Sequence, residues 1–403
     1  MKIQNSKLNS KLIILSNITS KLGNVVFDYT NQMLITMIAP TSPKFMAFYQ
    51  FSENIVSILF NLFAGAIIDK NSRKRLLLIT DILSGCTCIV GIFFLKSPYV
   101  YISLIITNIL LSILSSFNSP AYNAIVKESI SSSYIERHLS NFNIFKECSS
   151  IISPTLGILI WQTFGLTTAY IFNALSFFIS ALFTLKIGVK KHNPLKLVRN
   201  KNIFMDIKEG MIYIYKQKMV FNLLIFSCFI NFFLSGYNIL LPYLNNIFQE
   251  NYSNTYGIIL ILHSIGSISF SYLNTRFSTS LSLDRKLNFS TMMLGLCMIF
   301  VPILHYTINN FNLTLLPFLG IGGFISIFNI QFFTTIQKKV DTDFIGRVYS
   351  VIFTVSILFM PIGSIVFGFI FNNIDIEILL FIGIFVILTS LGYHVLNLKN
   401  KLP

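Results

Sequence analysis

The chain has 403 residues, of which 54% are hydrophobic and only 11% are charged, and its formal net charge is +15. A soluble protein of this length needs roughly 25% charged residues to cover its surface, so most residues are expected in lipid or against other apolar helices. The basic charge does not indicate nucleic-acid binding, because no basic patch with interleaved aromatic residues accompanies it. The five cysteines fall in apolar segments with a spacing that suits neither a zinc site nor a redox pair.

Twelve apolar segments are long enough to cross a bilayer, which needs about 20 apolar residues per helix. The first follows a basic N-terminus and is interpreted as an uncleaved helix, because it is too long for a signal peptide. The predicted segments are 13–38, 45–68, 76–95, 99–123, 140–163, 167–187, 219–242, 255–275, 287–306, 312–333, 346–371 and 376–396. The sequence therefore predicts an all-α integral membrane protein.

The longest connection, residues 188–218, is basic and separates an N-terminal six-helix half (1–187) from a C-terminal six-helix half (219–403). If the N-terminus is cytoplasmic, only Lys44 and Lys96 of the 30 lysine and arginine residues lie in outer loops. Cytoplasmic loops of membrane proteins are enriched in lysine and arginine. Both termini are therefore predicted to be cytoplasmic.

The two halves share a sequence pattern in the same order. Asn118 and Asn329 occupy matching positions 211 residues apart, Arg137 matches Arg347, and Pro154 matches Pro361 at an offset of 207 residues. An offset of half the chain, maintained through loop and helix, predicts two structurally related six-helix halves. Such an arrangement places a substrate path between the halves.

A short loop between the second and third segments carries a glycine, an acid and a group of bases, and reads Gly65-Ala-Ile-Ile-Asp69-Lys70-Asn-Ser72-Arg73-Lys74-Arg75. This string resembles the loop motif of the major facilitator superfamily, Gly-x3-Asp-Arg/Lys-x-Gly-Arg/Lys-Arg/Lys. One position departs from the motif, since Ser72 stands where the second glycine is expected. The resemblance implies a fold of twelve transmembrane helices in two pseudo-symmetric halves.

Further strings resemble the macrolide-efflux-type branch of that superfamily. They are Phe117-Asn-Ser-Pro120-Ala-Tyr-Asn-Ala, Ile152-Ser-Pro154, and Thr335-Ile-Gln337 through Gly346-Arg347-Val-Tyr349-Ser350. The resemblance implies proton-driven export of amphipathic organic compounds across a bacterial cell membrane. A narrow exporter of a siderophore or peptide, or an importer, stays open as an alternative on the same fold.

The loop motif is expected to act as a conformational latch. Asp69 and Arg73 are four residues apart, a spacing that suits an ion pair if one helical turn separates them, and Glu128 is expected to join the group. The resemblance implies that Asp69 also faces the N-terminal end of a helix of the other half, where the helix dipole favours a carboxylate. Gly65 is expected to allow close helix packing. The alternative is that the bases only set the orientation in the membrane.

Asp28, near the middle of the first segment, is the strongest candidate for proton coupling. A charge inside a membrane segment costs roughly 2.5–3.5 kcal/mol on insertion scales, so such acids usually face a cavity or a partner. Asn31 and Gln32 lie one turn further on, and Lys21 two turns back, on the same face of the predicted helix. The alternative is a static acid that is hydrogen-bonded between helices.

Three further residues are candidates for the proton or substrate path. Glu53 lies in the second segment, and Glu147 lies near the start of the fifth, where a salt bridge at the membrane surface is an equal alternative. Asn118 is a candidate for lining the path, although hydrogen bonding between helices is the more common use of such residues. Pro154 and Gly157 resemble a weakened form of the proline-glycine motif of family antiporters, with a packing kink as the alternative.

Other classes of function find little support in the sequence. It contains no Gly-x-Ser-x-Gly string, no His-Glu-x-x-His string and no phosphate-binding Gly-x4-Gly-Lys-Ser/Thr loop. The energy for transport is therefore expected from an ion gradient, with protons favoured. We expect a small amphipathic substrate, the lipid bilayer and protons as partners, a monomer, and no enzyme activity, metal, cofactor or nucleic acid.

Overall fold

The structure is a computed structural model, and it describes residues 6–70, 72–189, 203–248, 254–276, 282–308, 310–341, 344–371 and 374–399. Its regular elements in these ranges are α-helices. They are α1 (Ser6–Ile38), α2 (Lys44–Lys70), α3 (Arg73–Ile92), α4 (Val100–Ser129), α5 (Ser132–Lys186), α6 (Ile203–Lys216), α7 (Lys218–Ile247), α8 (Thr255–Arg276), α9 (Leu283–Ile308), α10 (Phe311–Lys339), α11 (Ile345–Ile370) and α12 (Ile378–Lys399).

The helices coincide with the predicted apolar segments, with two departures. The predicted segments 140–163 and 167–187 both lie in α5, which is bent at Gly165 (φ 74°, ψ −175°). This backbone conformation is available essentially only to glycine, so Gly165 marks the junction between the two segments. The other departure is α6, which lies inside the predicted linker.

Within the described residues, nine helices are long and apolar enough to cross a membrane, and α5 is counted once among them. Helix α1 is not one of the nine. It contains Asp28, Asn31 and Gln32, the polar residues that the sequence singles out. The chain is thus a multi-pass α-helical membrane protein, and the number of twelve crossings stays a prediction.

The chain divides into two compact units. Unit 1 comprises Met1–Ile38 and Ser52–Asn200, and unit 2 comprises Ala39–Phe51 and Lys201–Pro403. In unit 1, α1 packs mainly on α5, and α3 packs on α4 and α5. In unit 2, α10 packs on α8 and α9, while α7 and α9 pack on α11 and α12 respectively.

The first turns of α2 belong to unit 2, although the sequence assigned them to the N-terminal half. The Lys44 ammonium lies 5.2 Å from the centre of the Phe369 ring of α11. The Tyr243 hydroxyl of α7 donates a hydrogen bond to the Ser42 carbonyl oxygen at 2.9 Å. These contacts join residues 39–51 to α7 and α11.

Helix α6 gives the predicted linker a packed structure. The Tyr213 ring stacks on Phe344, with ring centroids 4.5 Å apart, and Glu209 forms an ion pair with Arg347 at 3.2 Å. Part of the predicted linker therefore belongs to unit 2, as a helix that packs on the beginning of α11. The many basic residues of the linker made the apolar face of this helix difficult to recognise in the sequence.

The sequence repeat has a counterpart in local structure. Arg137 lies over the ring of Tyr134, and Arg347 lies over the ring of Phe344, at 5.7 and 5.2 Å from the ring centroids. In both units the arginine follows the aromatic residue by three positions at the beginning of a helix. The two halves thus use the same cation–π contact at equivalent places.

Helices α8 and α10 approach each other backbone to backbone through glycine. A Cβ atom at Gly322 would lie 2.4 Å from the carbonyl oxygen of His263, and one at Gly266 would lie 1.9 Å from that of Leu319. Small residues allow this close approach between membrane helices.

We predict that Gly322→Ala destabilises the protein by about 1–3 kcal/mol, because the added methyl group forces the helix backbones apart. Gly392→Ala is the matched control, since a Cβ atom at Gly392 has no neighbour within 4 Å among the described residues. Apparent melting temperatures in detergent should fall for the first variant and stay level or rise for the second. Equal melting temperatures would contradict this account of the contact.

Candidate functional site

Asp28 lies half-buried on α1. Its charge is close enough to act on the Cys88 thiol of α3 and on the Tyr170 hydroxyl of α5. Tyr170 is fully buried, and its ring packs on Phe27 with centroids 4.7 Å apart. The strongest sequence candidate therefore lies beside a buried hydroxyl group inside unit 1.

Asn31, one turn after Asp28, is fully buried. Asn31 and Thr107 of α4 lie near the Tyr170 hydroxyl group, but neither forms a hydrogen bond of good geometry with it. The next residue of α4, Asn108, is hydrogen-bonded to the Glu53 carboxyl group of α2. We call Asp28, Asn31, Glu53, Asn108 and Tyr170 the polar cluster.

The polar cluster places two acids of predicted membrane segments in the same part of unit 1. Asp28 of α1 lies beside Tyr170, which Thr107 of α4 approaches, and the next residue, Asn108, is hydrogen-bonded to Glu53 of α2. Intramembrane acids that share a polar environment are typical of proton and ion pathways.

The remaining path candidates lie elsewhere. Gln32 is half-buried and Lys21 is exposed on α1. Asn118 of α4 accepts a hydrogen bond of 2.7 Å from the Thr80 hydroxyl of α3, a contact that joins two helices of unit 1. Glu147 is part of α5, but its side chain lies outside the described residues.

A second group of charges lies where α3 begins. Nη1 of Arg73 is 3.1 Å from Oε1 of Glu128, near the end of α4, and the two side chains are 5% and 23% exposed. The Lys74 ammonium donates to the carbonyl oxygens of Leu185 and Ile187 at 2.7 and 2.8 Å. The cation thereby caps the C-terminal end of α5, where the helix dipole favours positive charge.

The structure changes the geometry expected for the loop motif. Helix α2 ends at Lys70 and Arg73 begins α3, so Asp69 and Arg73 lie on different helices instead of one turn apart on the same helix. The side chain of Asp69 and the surroundings of Gly65 lie outside the described residues, and the latch role expected for this motif stays a prediction.

Gly157 of α5 lies against the ring of Tyr29 of α1, and a Cβ atom at this position would be 3.0 Å from the ring. Pro154 lies inside the same helix. The contact of Gly157 thus allows α5 to pack closely on α1.

The sequence reasoning passed over Asp81, a fully buried carboxyl group in α3. The criterion that selected Asp28, an acid inside an apolar segment, applies equally to Asp81 and was enough to find it. The hydroxyl residues around Asp81 could not be recognised from the sequence in the same way, because serine and threonine are frequent in membrane helices.

Nine of the described helices are long and apolar enough to cross a membrane, so the class that they define is that of the multi-pass α-helical membrane proteins. Residues 7–403 match the transmembrane secretion effector family, and the chain belongs to this family.

Relatives with known names are distant but cover most of the chain. The chain is 24% identical to the uncharacterized MFS-type transporter YfiS of Bacillus subtilis over 359 residues, 87% of this chain and 84% of the relative. It is 20% identical to macrolide efflux protein A of Enterococcus faecalis over 302 residues, 74% and 92% of the two chains. It is 23% identical to a staphyloferrin A transporter of Staphylococcus aureus over 365 residues, 89% of each.

Solved structures support the fold. The nucleoside transporter NupG matches with a TM-score of 0.73 at 14% identity, covering 98% of this chain and 99% of the other. A D-xylose-proton symporter matches with a TM-score of 0.75 at 13% identity, covering 97% of each chain.

We predict that Glu128→Gln destabilises the protein by about 1–3 kcal/mol, because the nearly buried Arg73 guanidinium loses its charged partner. Glu136→Gln, which alters an exposed acid of α5, is the control. Unfolding in detergent, followed by intrinsic fluorescence, should separate the two variants. The same small shift for both would show that the ion pair adds nothing to stability.

Proposed function

We propose that this chain is a secondary active transporter that exports amphipathic or hydrophobic compounds, such as macrolide-like drugs, by alternating access and proton antiport. The polar cluster is the observation that carries the proposal. Asp28 and Glu53 are acids of predicted membrane segments, and each lies beside buried amide or hydroxyl groups. Such acids load and release protons when a transporter alternates between two aqueous sides.

The direction and the substrate class rest on similarity. The chain resembles macrolide efflux proteins over about three quarters of its length, and its family is described as secretion effectors. The energy source follows from the sequence, which contains no phosphate-binding loop. An ion gradient is then the driving force, and the acids of unit 1 favour protons.

We further propose twelve membrane crossings in two six-helix halves, with both termini in the cytoplasm of a bacterial cell and the protein in its inner membrane. The distribution of lysine and arginine supports this orientation. The apolar surfaces of α3, α4 and α12 are suited to direct contact with lipid. A monomer is sufficient for the mechanism, because each chain has both units.

A second candidate function is narrow export of a siderophore. The similarity to a staphyloferrin A transporter covers 89% of this chain, compared with 74% for the macrolide efflux protein of Enterococcus faecalis. The fold is the same for both candidates, so pocket side chains decide between them.

The test is accumulation of a labelled macrolide and of a fluorescent cationic dye in a drug-sensitive bacterium that expresses the chain. We predict lower accumulation than in control cells, and a protonophore should abolish the difference. Asp28→Asn and Glu53→Gln should lose protonophore-sensitive export, because neither amide can carry a proton between the two sides of the membrane. Glu136→Gln, in an exposed acid, should retain it at matched membrane levels.

Unchanged accumulation of both compounds would contradict broad efflux. Release of a siderophore into iron-poor medium, measured by mass spectrometry, would then favour the second candidate. Protonophore-sensitive export that persists in both acid variants would retain the transporter and remove the polar cluster from its coupling mechanism.

A further inference from the structure

Asp81 is an acid in the interior of α3, away from the polar cluster. Its side chain is fully buried, and the Ser180 hydroxyl of α5 donates a hydrogen bond to its Oδ2 at 2.7 Å. Within the part of the chain that the structure describes, its Oδ1 has no hydrogen-bond partner. Among the described residues, one carboxyl oxygen of Asp81 thus accepts a hydrogen bond from a hydroxyl group, and the other is buried without a hydrogen-bond donor.

Ser180 belongs to a group of buried hydroxyls from three helices. The Ser16 hydroxyl of α1 lies 2.8 Å from that of Ser180, 2.8 Å from that of Thr184 and 2.7 Å from that of Tyr122 of α4. Together with Asp81, these four side chains join α1, α3, α4 and α5. We call them the hydroxyl network.

While Asp81 is ionised, the hydrogen bonds of the network have a single consistent direction. Each hydroxyl group has one proton to donate, and Ser180 donates its proton to Asp81. Ser180 then accepts from Ser16, and Ser16 accepts from Tyr122 and Thr184. All four hydroxyl groups therefore point along paths that end at the Asp81 carboxyl group.

Among the residues that the structure describes, the surroundings of Asp81 offer no countercharge. Tyr122 is a titratable neighbour on which the charge of Asp81 acts, whereas Lys11 of α1 and Lys186 of α5 are exposed. Leu77, one turn earlier on α3, is fully buried in an apolar cluster. The described residues contain no ion pair to Asp81, so its ionised form would be a buried charge with one unpartnered oxygen, an arrangement of high energy.

We propose that Asp81 and the hydroxyl network form a proton-binding site, separate from the polar cluster, in which the proton is carried by the Asp81 carboxyl group. A metal ion needs several oxygen ligands around it, whereas Asp81 has one hydroxyl group at hydrogen-bond distance. Binding of a proton at this site does not depend on which compound the chain transports.

The network also supplies a path for the proton. Thr184 lies two residues before the end of α5, so the chain of hydroxyls leads from Asp81 toward that end. A proton that arrives at Thr184 is passed on in steps. Thr184 gives its own proton to Ser16, Ser16 gives its proton to Ser180, and Ser180 gives its proton to Oδ2 of Asp81. Each hydroxyl oxygen carries one proton before and after the transfer, and the net result is one proton added to Asp81.

The experiment is infrared spectroscopy of the full-length protein in lipid vesicles, titrated between about pH 5 and pH 9, a range in which buried carboxyl groups have been found to titrate. The carbonyl band of a protonated carboxyl group should be lost as the pH rises, and D81N should lack that band. S180A should keep the band to a pH higher by about one to two units, because the ionised carboxylate loses its donor. Glu136→Gln should match the unmodified chain.

The proposal would be overturned if the unmodified chain and D81N gave the same titration, or if the band of Asp81 stayed constant throughout. It would also be overturned if sodium ions removed the band at constant pH. Should D81N fail to fold, S180A decides, since an unmoved band would contradict the site. None of these readouts depends on transport, so they are independent of the export assay.

Discussion

A carboxyl group that leaves water needs a cation or hydrogen-bond donors, and apolar helices supply few of either. Unit 1 meets this requirement in three ways. Glu128 pairs with Arg73 at 3.1 Å, Asp81 accepts from a serine hydroxyl at 2.7 Å, and Glu53 is hydrogen-bonded to an asparagine. Each arrangement joins two different helices, so these acids also determine how the helices of unit 1 pack.

Unit 2 is held together differently. Its helices approach through glycine at α8 and α10 and through stacked aromatic rings such as Phe226 and Tyr393, whose centroids are 4.4 Å apart. The acids of unit 2 whose side chains the structure describes are Glu209, Asp284, Asp341, Asp375 and Glu377. Glu209 lies within the short helix α6, and the other four lie at helix ends or in short connections. Asp28, Glu53 and Asp81 lie instead inside helices of 20 or more residues, and this contrast supports the assignment of proton chemistry to unit 1.

The positions of the helices could be predicted because the bilayer imposes a length on each apolar segment. The repeat of Arg137 and Arg347 was also readable, since both follow an aromatic residue by three positions. Helix α6 was missed because hydropathy over a long window responds to the basic residues of the linker, whereas its apolar face appears only at helical period.

The candidate site was predictable in part. Asp28, Glu53 and Glu128 were singled out as acids in or near apolar segments, and the same rule extends to Asp81. The pairing of Glu128 with the group around Arg73 was expected, whereas the partner of Asp81 was not predictable, because Ser180 lies 99 residues further along the chain and only the folded chain brings the two together. The spacing of Asp69 and Arg73 likewise does not reveal that α2 ends at Lys70 and that Arg73 begins α3.

The most direct test of the account uses purified protein in vesicles with an imposed pH gradient and a pH-sensitive dye inside. Addition of a macrolide or an amphipathic cation should dissipate the gradient, and the compound should move in the direction opposite to the protons. Vesicles without protein should show neither flux. If the compound moves at the same rate with and without a pH gradient, the central claim of proton antiport is contradicted.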